Sequence, residues 1–144
     1  MELIEQIGSI FSRLYRKRME IISRELKHLK ITTNQSIHLV NINRYPGLNQ
    51  MELSNILSID KATVSKTLRN LEKRGFVNKV LDDDDRRYYK LFLSDKGVMI
   101  VNKIKIVLED IWIQNLNEIS KEERIAFLNT LNKIYENTMS YKSS

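Results

Sequence analysis

The sequence has no cysteine, which removes disulfides, thiolate metal ligands, thiol nucleophiles and thiol-based oxidant sensing in one step and suits a reducing, cytoplasmic setting. Histidine is scarce too. His28 and His38 are the 2 in the chain; they sit on different predicted helices with no H-x3-H spacing, so a metal-sensing regulator that recruits them with carboxylates is a rival reading only. No glycine-rich loop and no convergent nucleophile, acid and base are present; the chain reads as not an enzyme, with no cofactor. One proline and 4 glycines leave few breakers, and no linker or low-complexity segment divides the chain. The longest apolar runs fall short of a membrane span, and the start, MELIEQIGSIFSRLYRKRME, lacks a cationic head followed by an unbroken apolar core. Neither membrane insertion nor export by a standard signal is expected. Acidic residues are in the minority, 18 against 24 Lys plus Arg; the net charge of +6 favours a polyanionic partner, with nucleic acid ahead of anionic lipid.

What is there is a folded, mostly helical chain. Its 144 residues are 42% hydrophobic and 29% charged, too apolar for a disordered protein. Ile7, Phe11, Tyr15, Met19, Ile22, Leu26 and Leu29 recur at steps of three and four and predict one long amphipathic helix. A second helix is expected over Thr33 to Arg44, stopped by Pro46-Gly47. Asn49 with Glu52 opens a short third helix through Leu57, a turn follows at Ser58-Ile59, and Asp60 caps a fourth helix that buries Val64, Leu68 and Leu71 and stops at Gly75. Two short helices joined by a tight turn form a helix-turn-helix.

The apolar period then changes from three or four to two. Residues 76–81 and 88–93 predict strands joined by the tip 82–87 (DDDDRR), with Tyr89, Leu91 and Leu93 on one face. A hairpin directly after the fourth helix is a wing. Ser94-Asp95 opens a long helix with Val101, Ile104, Leu108 and Ile111 on one side and Ile100, Ile106, Val107 and Ile113 on another; Ser120 and Glu123 box the start of a last helix striped by Leu128, Leu131, Tyr135 and Met139. The expected class is therefore mainly α with a small β-hairpin wing: a winged helix-turn-helix core, 33–93, flanked by long dimerisation helices, 1–32 and 94–144. The flanking helices carry more apolar surface than a small module can cover, and a symmetric copy of the chain is the expected partner.

At about 100° per residue, the fourth helix turns Ala62, Lys66, Arg69 and Lys73 away from its buried stripe, with Thr63, Ser65 and Asn70 on the flanks. Cations for phosphates mixed with short polar side chains for base edges are what a helix in the major groove of double-stranded DNA requires. For an isolated helix, a merely solvated lysine-rich face would be the plainer explanation; a capped helix before it and a hairpin after it favour DNA. In the tip, Asp85 can pair with Arg87 across one residue and orient the guanidinium for a narrow minor groove, beside Arg86. A winged module that binds proteins instead of DNA is the remaining rival.

Asp85-x-Arg87, five residues, then Leu93-Ser94-x-x-Gly97 resembles the D-x-R-x5-L-[ST]-x-x-G wing of the multiple antibiotic resistance regulator (MarR) family, and Asp82 matches the first aspartate of its usual D-P-x-D-R-R tip. Leu71-Glu72-Lys73-Arg74-Gly75-Phe76-Val77 and Asp60-Lys61-Ala62-Thr63-Val64-Ser65 resemble the end and the start of the family's recognition helix. Asp83 departs from the pattern, standing where proline is usual. The resemblance implies a homodimer with interlocked terminal helices, recognition helices in successive major grooves and wings in flanking minor grooves. It further implies a pseudo-palindromic operator and release by a small, often aromatic or phenolic ligand lodged between the dimerisation helices and the DNA-binding lobe; repression is the expected effect, with activation as the alternative. No ligand chemistry is legible in the residues: Tyr15, Arg16 and His38 fall near such a pocket, but packing and surface roles explain each.

Overall fold

Short polar side chains decide where the helices begin. The computed structural model describes residues 2–143, and the chain packs as two units, residues 1–109 and 110–144. In the first, Thr32 and Gln35 exchange side-chain and backbone hydrogen bonds of 3.1 and 2.9 Å to open α2 (Thr33–Arg44). Asn49 and Glu52 do the same at 2.8 and 3.1 Å for α3 (Gln50–Leu57). A Ser, Thr or Asn cap of this kind contributes about 1 kcal/mol. Asp60 caps α4 (Lys61–Lys73) by accepting from the Thr63 N–H at 2.8 Å. Between α3 and α4, Ser58 takes a left-handed conformation at φ 52° and makes the tight turn. The helix-turn-helix and its boundaries are as the sequence predicts.

The first helix is shorter than its apolar stripe suggests. α1 covers Leu3–Glu25, and Lys27–Leu29 form a separate 3-10 turn ended by Lys30 at φ 54°. Leu26 to Leu29 is a step of three, which fits a 3-10 turn as well as an α-helix, so periodicity could not separate them. The turn redirects the chain and lets both Leu26 and Ile31 be buried. Burial also varies along α1: Ile7, Phe11 and Tyr15 are exposed, whereas Ile22 and Leu26, farther along the stripe, lie in the core.

α4 ends as expected at glycine. Gly75 (φ 79°) donates to the Glu72 carbonyl and Phe76 to the Leu71 carbonyl, the paired bonds of a Schellman stop. The wing follows as antiparallel β1 (Val77–Leu81) and β2 (Tyr89–Leu93), one residue shorter at each start than predicted, with Val77 opposite Leu93 and Leu81 opposite Tyr89. Leu91 is fully buried, but Tyr89 is exposed and Leu93 only half-buried, so the expected single apolar face reduces to Leu91. Leu91 is also where the free edge of β2 is covered: its carbonyl accepts from Gly47 N–H and its N–H donates to the Leu48 carbonyl, both at 2.8 Å. Gly47 can bend there because it sits at φ 90°.

α5 (Asp95–Asn115) buries Val101 and Ile104, and α6 (Lys121–Met139) starts at a Ser120–Glu123 capping box with bonds of 3.2 and 2.8 Å. α6 has no buried residue. Among the described residues no helix is long and apolar enough to cross a membrane. The fold is mainly helical with a two-stranded hairpin, a winged helix-turn-helix.

Candidate nucleic-acid interface

Val64, Leu68 and Leu71 are completely buried, which fixes the rotation of α4 about its axis and turns Ala62, Lys66, Arg69 and Lys73 to solvent. The three cations have no carboxylate partner among the described residues. Thr67 is buried as well, a position the apolar stripe did not reveal. Its hydroxyl accepts from Asn34 Nδ2 at 2.8 Å and donates to the Thr63 carbonyl at 3.0 Å, tying the start of α2 to the middle of α4. One turn on, Gln35 Nε2 donates to Asn70 Oδ1 at 2.8 Å. Asn34, Gln35 and Thr67 thus aim the helix; sequence reasoning missed them because their bonds join residues more than thirty positions apart.

These bonds refine the flank of α4. Asn70 commits its carbonyl to Gln35 and keeps its amide N–H groups available, while the Thr63 hydroxyl donates to Asp60 at 2.7 Å and becomes part of the cap. That hydroxyl bond and the Thr63 N–H hold the Asp60 carboxyl below the usual range. Ser65 is half-buried, with Arg69 Nη1 at 3.4 Å from its Oγ. Arg74, in the segment that resembles the MarR pattern, is structural: it reaches Gln35 Oε1 at 3.3 Å and lies 5.0 Å from the Phe76 ring centre.

At the wing tip, Arg87 grips Asp85 with two parallel bonds, Nε to Oδ1 at 2.9 Å and Nη2 to Oδ2 at 2.8 Å, and its own N–H bonds the same carboxylate at 3.2 Å. The arrangement lowers the Asp85 pKa, chiefly through the side-chain bonds from Arg87, and raises that of Arg87 for the same reason. Both stay ionised across the physiological range. Asp82 is not simply another negative charge: its Oδ1 accepts from the Asp84 N–H at 2.9 Å and the Asp85 N–H at 3.4 Å, closing an Asx turn that sets up the pair. Asp83, Asp84 and Arg86 are exposed.

The wing is anchored to α4 and α5 through Ser94 and Gly97. Ser94 Oγ donates to the Gly75 carbonyl and accepts from the Gly97 N–H at 3.0 Å, and the Ser94 N–H donates to the Phe76 carbonyl at 3.0 Å. A Cβ at residue 97 would collide with that Phe76 carbonyl. The serine and glycine of the wing motif therefore hold three elements at one point. His28 is exposed in the 3-10 turn, whereas His38 is buried in α2 with Nδ1 at 2.7 Å from the Asn34 carbonyl. Among the described residues no group of three or more His, Cys, Asp and Glu side chains is placed to hold a metal.

The MarR family model matches residues 31–89, from the start of α2 to the wing. The chain is 26% identical over 136 residues to the uncharacterized HTH-type transcriptional regulator YybA of Bacillus subtilis (strain 168), covering 94% of this chain and 88% of that one. A MarR transcriptional regulator from Methanosarcina mazei Go1 matches in structure with a TM-score of 0.85 at 30% identity, over 94% of this chain and 97% of that one. The fold is also that of S. aureus MepR, crystallised as a DNA complex, with a TM-score of 0.83 at 22% identity over 92% of this chain and 97% of that one.

Proposed function

The chain belongs to the MarR family of transcriptional regulators, which are not enzymes, and we propose that it acts in the cytoplasm as a homodimer that represses transcription from a pseudo-palindromic operator. The observation that carries DNA binding is the pairing of two presented elements: the fixed outer face of α4 and the Arg87 guanidinium held by Asp85. In this reading α4 enters the major groove, with Ser65, Arg69 and the Asn70 amide at base edges and Lys66 and Lys73 at phosphates. Ala62 and Thr63 pack against the groove, and Arg86 and Arg87 approach the adjacent minor groove. MepR, which shares the fold, was crystallised with DNA, and this supports the DNA-binding reading.

The terminal helices, residues 1–32 and 94–144, are the dimerisation parts, and 33–93 is the DNA-binding module. Exposed apolar side chains support this: Leu3, Ile4 and Phe11 of α1, and Phe127, Leu128 and Tyr135 of α6. A small aromatic or phenolic ligand that favours a dimer with wrongly spaced recognition helices is the release signal, and by linkage the operator must weaken ligand binding by the same factor. The test is selection of genomic fragments by purified protein, followed by titration at two salt concentrations. Enrichment of a palindromic site is expected, and no enrichment over bulk DNA overturns the reading. Phenols and aromatic carboxylates that change neither melting temperature nor operator affinity would remove the ligand from it.

A further inference from the structure

A cleft of about 300 Å³ lies between the wing, the start of α4 and the start of α3. Three of its lining side chains are cations, Lys61, Lys79 and Arg87, and none is a carboxylate. Gln50, Tyr88 and Tyr89 also line it and bring an amide and two phenols, the Gln50 Nε2 donating to the Lys61 carbonyl at 3.4 Å and keeping a second N–H. Met51 and Leu91 supply an apolar wall. Two of the cations are held in place by carboxylates that are not part of the lining: Lys79 Nζ is 3.2 Å from Glu72 and Arg87 Nη2 is 2.8 Å from Asp85. Arg87 meets Asp85 through Nε and Nη2, which leaves Nη1 for another acceptor. Lys61 is exposed and has no carboxylate partner among the described residues. A site made of fixed cations and neutral donors, with an apolar side, fits an oxyanion carried on a carbon framework.

We propose that this cleft seats the sugar-phosphate backbone of the DNA strand that divides the two grooves, with Lys61 and Gln50 as phosphate ligands. The inference rests on the DNA-binding reading above. If α4 occupies a major groove and the hairpin the neighbouring minor groove, a phosphodiester strand must pass between them, and the cleft lies between the start of α4 and the hairpin, bounded by the start of α3. Met51 and Leu91 then pack on deoxyribose carbons. The contact carries no base information; it fixes register, locking the distance between what α4 reads and where Arg87 enters.

The test uses the selected operator with one neutral methylphosphonate introduced at each phosphate in turn, and compares wild type with Lys61→Gln and Gln50→Ala. Lys61 and Gln50 lie at the surface ends of their helices, and unchanged circular dichroism and melting temperature establish that both variants fold. Lys61→Gln is expected to lower the slope of log affinity against log salt by about 0.9 per subunit, with base preferences unchanged. The methylphosphonate most costly to wild type should cost Lys61→Gln nothing further, and Gln50→Ala should lose most of its sensitivity at that same phosphate. An unaltered salt slope, with losses that add at every phosphate, overturns the cleft assignment while DNA binding itself stands. A wild-type protein that selects no DNA overturns both.

Discussion

In the proposed DNA complex Asp85 brings a negative charge close to phosphate, and simple electrostatics predicts that removing it tightens DNA binding. The geometry argues the reverse. Asp85 holds Arg87 through two side-chain bonds and a backbone bond, so the guanidinium loses little rotamer freedom on entering a groove. Asp85→Ala should therefore weaken operator binding at physiological salt, and tighter binding would disprove the aiming role. Arg87→Ala should weaken binding by about tenfold or more on many sequences alike, because minor-groove width is a poor code for individual bases. His38 makes a second residue-level prediction. With Nδ1 on the Asn34 carbonyl and Nε2 buried without a hydrogen-bond partner, the ring is held neutral, and burial lowers its pKa below the usual 6.5, against a smaller opposing effect of the Asn34 bond. Above pH 6.5 folded and unfolded chains both carry neutral imidazole, and its contribution to stability is complete. As pH falls below that value the unfolded chain takes up a proton that the folded chain refuses, so stability declines, by at most about 1.4 kcal/mol per pH unit, until the folded-state pKa is passed. Urea denaturation between pH 7 and 5 measures this, and a His38→Phe protein with the same pH slope as wild type would exclude His38 as the cause.

At the scale of elements, the parts legible in the sequence are those written locally. Caps at Asn49, Asp60 and Ser120, the stop at Gly75 and the Asp85–Arg87 pair all join residues within five positions, and each forms where the residue types predict it. The parts that escaped are long-range or degenerate: Gly47 and Leu48 joining Leu91, Asn34 and Gln35 steering α4, and a 3-10 turn hidden in a stripe that fits both helix types. The wing motif lies between these cases. Its serine and glycine are recognisable as a pattern, but only the structure shows that Gly97 must lack a Cβ because the Phe76 carbonyl occupies the space. Gly97→Ala should accordingly cost about 1–3 kcal/mol in chemical denaturation, and unchanged stability would mean that the approach of α5 to β1 is readily relaxed. For α4, Ser65→Ala and Arg69→Ala should change which base pairs are preferred, while Lys73→Ala should reduce affinity evenly and lower the salt slope by about one unit per subunit. A fragment selection repeated with each variant separates the two outcomes, and an altered base preference with Lys73→Ala would contradict its assignment to phosphate.

At the scale of the whole molecule, the question is which apolar residues hold the chain together and which wait for a second copy. Ile104 is completely buried and Ile111 is 6% exposed, so a charge at either should unfold the protein whatever its oligomeric state. Phe127, Leu128 and Tyr135 are 47%, 58% and 62% exposed on an α6 that buries nothing, and Ile7 and Phe11 of α1 are 54% and 55% exposed. In the proposed homodimer, apolar residues this open are buried in a symmetric interface, where every side chain counts twice. Burying one leucine contributes about 1.5–3 kcal/mol; placing glutamate at both copies of residue 128 therefore removes about 3–6 kcal/mol, a rise in the dimer dissociation constant of about a hundredfold or more. Leu128→Glu should yield a chain that keeps its helical content but dissociates at micromolar concentration in light scattering, whereas Ile104→Glu should aggregate or unfold. Operator binding should follow the dimer, because two recognition helices must reach half-sites about 34 Å apart on one duplex: the Leu128→Glu protein should recover affinity as its concentration rises towards the new dissociation constant. A wild-type protein that is monodisperse and monomeric at micromolar concentration, or a Leu128→Glu protein as dimeric as wild type, would show that α6 is not the surface that joins the two copies.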